Sequence, residues 1–280
     1  MTAALLSGRD LAARIRAETG EQAAALAAQG QRPGLAIVFA TADESTAWYV
    51  RSIAKAADQA GINCAIRDLG PDATAAGIAA ALTGLSGRQD VHGIILQTPL
   101  PAAAAGADLA SLITPAQDVD GANPASLGRL AAGLPAFAPA TAEAVLAILD
   151  HYRVTLAGRH AVVIGRSVVV GKPAALLLLS RNATVTICHS RTPDLAAVSS
   201  AADIVVAAAG RAGLVTGEYV RPGATVVDVG TNVAADGSLV GDADAASVSA
   251  RAGALTPVPG GVGPVTTALL LQHTVQAARQ

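Results

Sequence analysis

The chain has 280 residues, of which 52% are hydrophobic and 14% charged, and its formal net charge is -2. That balance excludes a disordered chain and provides enough apolar surface for several packed layers, most simply as two domains. The near-neutral charge and the absence of Lys/Arg-rich runs argue against nucleic acid or an anionic membrane as partner and point to small molecules.

The opening residues, MTAALLSGRD, lack a basic stretch followed by a long apolar run. No apolar segment reaches ~18 residues without a charge, Gly or Pro, so a cytoplasmic protein is expected. Cys64 and Cys188 stand far apart, without CxxC spacing or nearby His pairs, and are expected to be buried free thiols rather than a disulfide or a metal site.

In chain order, LAIVFA at 35 to 40, HGIILQ at 92 to 97, AVVIG at 161 to 165, ATVTIC at 183 to 188, DIVVAAAG at 203 to 210 and ATVVDVG at 224 to 230 read as buried strands. Ala-rich segments such as 45 to 60, 74 to 84 and 142 to 151 read as helices between them. The alternation predicts an α/β protein with parallel sheets and crossover helices. The Pro- and Gly-containing stretch from Pro99 to Pro139 interrupts the rhythm and marks the expected boundary between two α/β domains. Residues 265 to 280 read as one amphipathic helix that either closes the second domain or returns to the first.

AVVIGRSVVVGKPAALLLL places Gly165 and Gly171 between a strand and a helical run. Such a turn exposes backbone N–H groups and the positive helix end to phosphate, although the spacing is not GxGxxG and a plain strand-to-helix connection looks the same. After the next strand come His189, Ser190, Arg191 and Thr192, where a cofactor with a free ribose 2′-hydroxyl would meet an acid. Ser190 can donate a hydrogen bond, and Arg166 and Arg191 can supply charge to a 2′-phosphate, which favours NADP over NAD; the alternative is a solvated loop. Lys172 either touches phosphate or faces water. Gly230 and Thr231 end a further strand where open sheets place ligands, whereas Asp228 within that strand reads as a structural hydrogen-bonder.

Nine motifs now stand in one order: SxxxYV at Ser45 to Val50, GIILQTPLP at 93 to 101, DVDG at 118 to 121, GRL at 128 to 130, PxT at 139 to 141, GRSVVVGKP at 165 to 173, CHSRT at 188 to 192, GATVVDVGTN at 223 to 232 and TPVPGGVGPVTT at 256 to 267. In these the chain resembles the FolD-type methylenetetrahydrofolate dehydrogenase/methenyltetrahydrofolate cyclohydrolase family over nearly its whole length. The resemblance implies a folate-binding catalytic domain over 1–139 plus 265–280 and a Rossmann-type NADP-binding domain over 140–264. It further implies a last helix returning to the first domain, a cleft between the domains, and a homodimer joined through the Rossmann domains. Tyr49, Gln97 and Asp120 match the family's catalytic and pterin-side residues. Pro257, Gly260, Gly261 and the residues to Pro264 match its loop beside nicotinamide and pterin. Gly165, Arg166, Ser167, Gly171, Ser190, Arg191 and Thr231 match its cofactor-binding positions, and no metal is implied.

The family pattern YVxxK puts a lysine four residues after the tyrosine, on the same helix face; here that residue is Ile53. Lys55 is displaced about 200° around the helix, and the only other lysine in the sequence, Lys172, belongs to the nucleotide turn. Arginine does not accept a proton near neutrality. The expected activity is therefore NADP-dependent oxidation of 5,10-methylenetetrahydrofolate with cyclohydrolase activity weak or absent. A fully bifunctional enzyme, a dehydrogenase for another small substrate, and a catalytically silent relative are the alternatives. Gln117, Ala122, Asn123, the FAT at 39 to 41, Val265 and His273 also depart from the family pattern.

Overall fold

A computed structural model describes residues 2–280. In chain order its elements are β1 (Ala4–Leu5), α1 (Arg9–Ala28), β2 (Gly34–Phe39), α2 (Glu44–Gln59), β3 (Asn63–Asp68), α3 (Ala75–Ser86), β4 (Gly93–Leu96), α4 (Pro124–Ala131), α5 (Ala140–His151), β5 (His160–Ile164), α6 (Gly171–Ser180), β6 (Thr184–Cys188), α7 (Leu195–Ser199), β7 (Ile204–Ala207), β8 (Thr225–Asp228), β9 (Asn232–Val233), β10 (Leu239–Val240), α8 (Ala245–Ser249), β11 (Ala254–Leu255) and α9 (Val262–Ala277). They form two compact units, one of residues 13–140 with 267–280 and the other of residues 2–12 with 141–266.

The unit of residues 13–140 and 267–280 is built on a three-stranded parallel sheet in the order β3-β2-β4. Every residue of β2 is buried, as its unbroken run GLAIVF requires of a strand covered on both faces. Helix α2 starts at Asp43, whose carboxylate accepts the backbone N–H groups of Ser45 and Thr46. It buries Thr46, Val50, Ile53 and Ala57, a stripe recurring once per turn. One core cluster joins β2 and β4 residues to Ile78, Leu82 and Leu85 of α3. The last residues of the chain belong here: Gln31 donates its amide to the Ala278 carbonyl at 2.6 Å, and His273 pairs with the Val119 carbonyl at 2.8 Å. Of the two courses open to the final helix, the return to the first domain is the one taken.

The other unit carries a six-stranded, wholly parallel sheet in the order β1-β11-β8-β7-β5-β6. Its core is small and β-branched, with Val162, Ile164, Val205, Val215 and Val226 among the buried residues. The N-terminal residues fold with this sheet, and not with the folate-binding domain as the resemblance implies. Ala4 and Leu5 lie in register with Ala254 and Leu255, and the N–H groups of Ala3, Ala4 and Leu6 donate to Ser249, Gly253 and Leu255. A two-residue strand leaves no periodicity to read, so the segment's partner is fixed only by these long-range bonds.

Candidate active site

At the carboxyl edge of the six-stranded sheet, β5 is flanked by β6 on one side and β7 on the other, the switch point where open α/β sheets bind ligands. The β5 strand ends at Ile164 opposite Cys188, so residues 165–166 and 189–191 leave neighbouring strands at the same level. Gly165 has φ +136°, and a β-carbon there would strike the Ala208 carbonyl; one on Gly171 would strike the Gly165 carbonyl. Both glycines are therefore required by the close approach of backbone to backbone. Ser167 closes the turn, its Oγ accepting from the N–H groups of Val170 at 3.2 Å and Gly171 at 3.3 Å before α6 begins. Arg166, Ser190 and Arg191 are exposed around this turn, while His189 is tied to Thr192 through its backbone N–H at 2.9 Å. No acid stands at the end of β6 to meet a ribose 2′-hydroxyl.

Thr231 is exposed beyond β8, in a stretch braced by two buried acids that motif reading passed over or left structural. Asp242, 0% exposed, accepts the N–H groups of Ala209, Gly210 and Arg211 and the amide of Asn232. Asp228 accepts from the N–H groups of Gly230, Asp242 and Ala243, the structural role expected of it. These bonds fix the loops after β7 and β8 without contributing a ligand-facing group. Asp242 could be found only through its partners, of which Ala209, Gly210 and Arg211 lie about thirty residues away in sequence.

The Pro257 to Gly261 loop is equally tight. Gly260 has φ +105° and packs beside the Arg9 guanidinium, and a β-carbon on Gly261 would lie 2.6 Å from the Pro257 carbonyl. Neither position accepts a side chain, which leaves the loop backbone bare.

In the other unit, α2, the DVDG turn and the last helical residues bring Tyr49, Asp120, Thr267 and His273 together. Tyr49 shares a hydrogen bond with Thr267; burial, reinforced by the neighbouring Asp120 carboxylate, pushes its hydroxyl up to about 12. Burial and the nearby Asp118 push the Asp120 carboxyl from 3.8 to about 7, with His273 opposing the rise. The two acids of the turn have different work. Asp118 is wholly buried and accepts from the N–H groups of Ala122 and Asn123 and from Ser126 Oγ at 2.6 Å, which fastens the start of α4. Gly121, at φ +63°, packs too closely on Ala138 and Pro139 for any side chain.

Gln97 sits just past β4, half-buried, with its backbone N–H on the Val38 carbonyl and its side-chain amide on the Thr98 carbonyl at 2.9 Å. Its amide is thus turned to its own neighbour rather than to Tyr49 or Asp120. Ile53 is 0% exposed within the α2 stripe, and Lys55 lies on the exposed side. Among the described residues no cluster of His, Cys, Asp or Glu could hold a metal ion, and no helix is long and apolar enough to cross a membrane.

The comparisons agree with this geometry. Residues 6–120 match the model of the tetrahydrofolate dehydrogenase/cyclohydrolase catalytic domain, and residues 139–280 match that family's NAD(P)-binding domain. Bifunctional protein FolD 1 of Paenarthrobacter aurescens is 60% identical over 280 residues, covering 100% of this chain and 95% of that protein. The crystal structure of the bifunctional FolD enzyme from Campylobacter jejuni superposes with a TM-score of 0.95 at 38% identity, covering 99% of both chains. The FolD enzyme of Trypanosoma brucei, complexed with NADP cofactor and inhibitor, gives 0.94 at 36% identity, covering 100% of this chain and 98% of that one. With both halves matched by its models and a full-length relative above half identity, the chain belongs to the tetrahydrofolate dehydrogenase/cyclohydrolase family.

Proposed function

We propose that the protein is an NADP-dependent 5,10-methylenetetrahydrofolate dehydrogenase whose cyclohydrolase activity is weak or absent. The observation that carries this reading is the pairing of an intact nucleotide turn with an aliphatic Ile53, fully enclosed, one helical turn beyond Tyr49.

The turn fits the cofactor. Its two glycines leave backbone where side chains would stand, and Arg166, Ser190 and Arg191 offer charge and a hydroxyl where a 2′-phosphate would lie. Bound NADP supplies the hydride acceptor, C4 of its nicotinamide. On the folate side, ionised Asp120 accepts from the pterin's amino group and ring N–H, and the Tyr49 ring packs against the ligand. Gln97 contributes its amide after turning from Thr98. The bare Pro257 to Gly261 backbone permits close approach. Loss of a hydride from the bridging methylene leaves a cation stabilised by the substrate's own nitrogens, so this step asks the protein for positioning rather than for a base.

Hydrolysis of the methenyl cation is different: the attacking water must lose a proton, and general base help there is worth ~10²- to 10⁴-fold. Ile53 cannot accept that proton, and Lys55 faces away. A second reading, full bifunctionality, is favoured by one feature: the Asp120 carboxyl, titrating at about 7, is itself able to take a proton near neutrality. The readings separate in one assay. Incubated with methylenetetrahydrofolate and NADP, the protein is expected to accumulate the methenyl product. Conversion of methenyl to formyl product as fast as it forms would reject the first reading for the second.

A homodimer formed through the nucleotide-binding unit completes the proposal. In support, edge strand β6 leaves Ile187 42% exposed and α6 leaves Leu179 59% exposed. Light scattering on the purified protein is expected to give twice the chain mass.

A further inference from the structure

We propose that His273 is a positioning residue for the reaction, holding the pterin-binding carboxylate of Asp120 in place through the peptide that precedes it. The inference rests on the folate reading above and extends it to a residue outside the family's motifs.

His273 is 3% exposed, and its Nδ1 lies 2.8 Å from the carbonyl oxygen of Val119. A carbonyl only accepts, so Nδ1 carries the proton and the bond fixes the orientation of the ring. Val119 is the one residue between Asp118 and Asp120, so the imidazole grips the peptide that leads directly into Asp120. The same turn is held from its other side by Asp118, through Ala122, Asn123 and Ser126. Held at both places, the turn delivers Asp120 towards Tyr49. The Phe137 ring, 5.0 Å from the imidazole and inclined at 34°, covers the contact with an apolar face. The imidazole acts electrostatically on both acids of the turn, Asp118 and Asp120, and the Asp120 carboxylate acts in turn on Tyr49 of α2. A protonated imidazole therefore also favours the ionised form of Asp120, against burial and Asp118.

Two substitutions divide the roles. His273→Asn keeps an N–H donor for the Val119 carbonyl but carries no charge, and His273→Leu removes both. Steady-state kinetics with methylenetetrahydrofolate and NADP are measured across the neutral pH range, with thermal melting of each variant. His273→Leu is expected to raise the folate KM about tenfold, equivalent to one loosened polar contact, with kcat and NADP affinity within about twofold of wild type. His273→Asn is expected to recover most of that KM, with the acidic limb of kcat/KM moved to higher pH because the influence of His273 that lowers the Asp120 carboxyl is gone. Unchanged KM and an unmoved acidic limb in both variants of an active enzyme would overturn the inference alone, as would equal losses in folate KM and NADP affinity. A wild-type protein that oxidises no folate would overturn the functional reading and this inference with it.

Discussion

A β-carbon on Gly171 would run into the carbonyl oxygen of Gly165, six residues earlier, so the turn after β5 closes only because Gly171 has no side chain. Gly171→Ala is therefore expected to force that turn open. NADP affinity should fall at least tenfold, with a stability loss on the order of 1–3 kcal/mol. Fluorescence titration with NADPH and a melting curve check both. A variant that binds the cofactor as tightly as wild type would show that the turn is a plain connection.

Exposed cations around that turn give the second prediction. Arg166→Ala and Arg191→Ala should each weaken NADP binding by about tenfold, as expected for loss of a charge-assisted hydrogen bond at a solvated site. NAD binding should change little, because the 2′-phosphate is the group they are proposed to meet. Competition titrations at low and high salt test this, and the difference should shrink as salt screens the exposed charges.

How much of this was legible beforehand depends on whether a feature is local. The buried strands β2, β5 and β7 announce themselves as unbroken apolar runs, and the Gly165 to Gly171 turn follows from its neighbours in sequence. Strand β3, NCAIRD, carries no strand signal in its sequence because it is a largely exposed edge strand whose polar residues show no buried face. The short helix α4 inside the Pro99 to Pro139 stretch escaped too, though its Asn123 cap followed by Pro124 is a local start signal. The attachment of residues 2–12 to β11, the bracing by Asp242 and the grip of His273 on Val119 all join distant parts of the chain. No periodicity encodes them. At the folate side, Tyr49 and Asp120 match motifs, and only the fold shows that the Asp120 carboxylate raises the Tyr49 hydroxyl.

The raised carboxyl of Asp120 gives a prediction with opposite signs for stability and function. Its folded-state value, about 7, exceeds the ordinary 3.8, so between those values the folded protein holds a proton that the unfolded chain has released. Stability from this group is therefore present at low pH and is lost as pH rises through about 7. Ionisation is nevertheless what the pterin requires, so kcat/KM should fall below neutral pH. Asp120→Asn removes the buried charge: it should melt higher than wild type at pH 8 by a margin that closes at pH 5, while its folate kcat/KM drops by about 10²-fold or more. A wild-type melting profile flat across that range, matched by the variant, would show that the carboxyl is not perturbed in solution.

Restoring an amine at position 53 is the most direct test of the functional proposal. The site is enclosed between Val50 and Ala57 on the α2 stripe, one turn past Tyr49, so a lysine placed there loses solvent, and desolvation lowers its pKa towards neutrality. That cost is structural: Ile53→Lys should melt several degrees below wild type, because a buried amine replaces a packed aliphatic chain. The same desolvation makes the amine able to accept a proton from water. Methenyltetrahydrofolate hydrolysis should rise by about 10²-fold, while the dehydrogenase kcat changes little, since hydride transfer needs no base. Ile53→Met, which keeps the volume without an amine, should leave hydrolysis at the wild-type level. Hydrolysis rising equally in both variants would point to loosened packing rather than proton transfer, and a wild-type rate already equal to dehydrogenation would mean that residue 53 does not limit the second reaction.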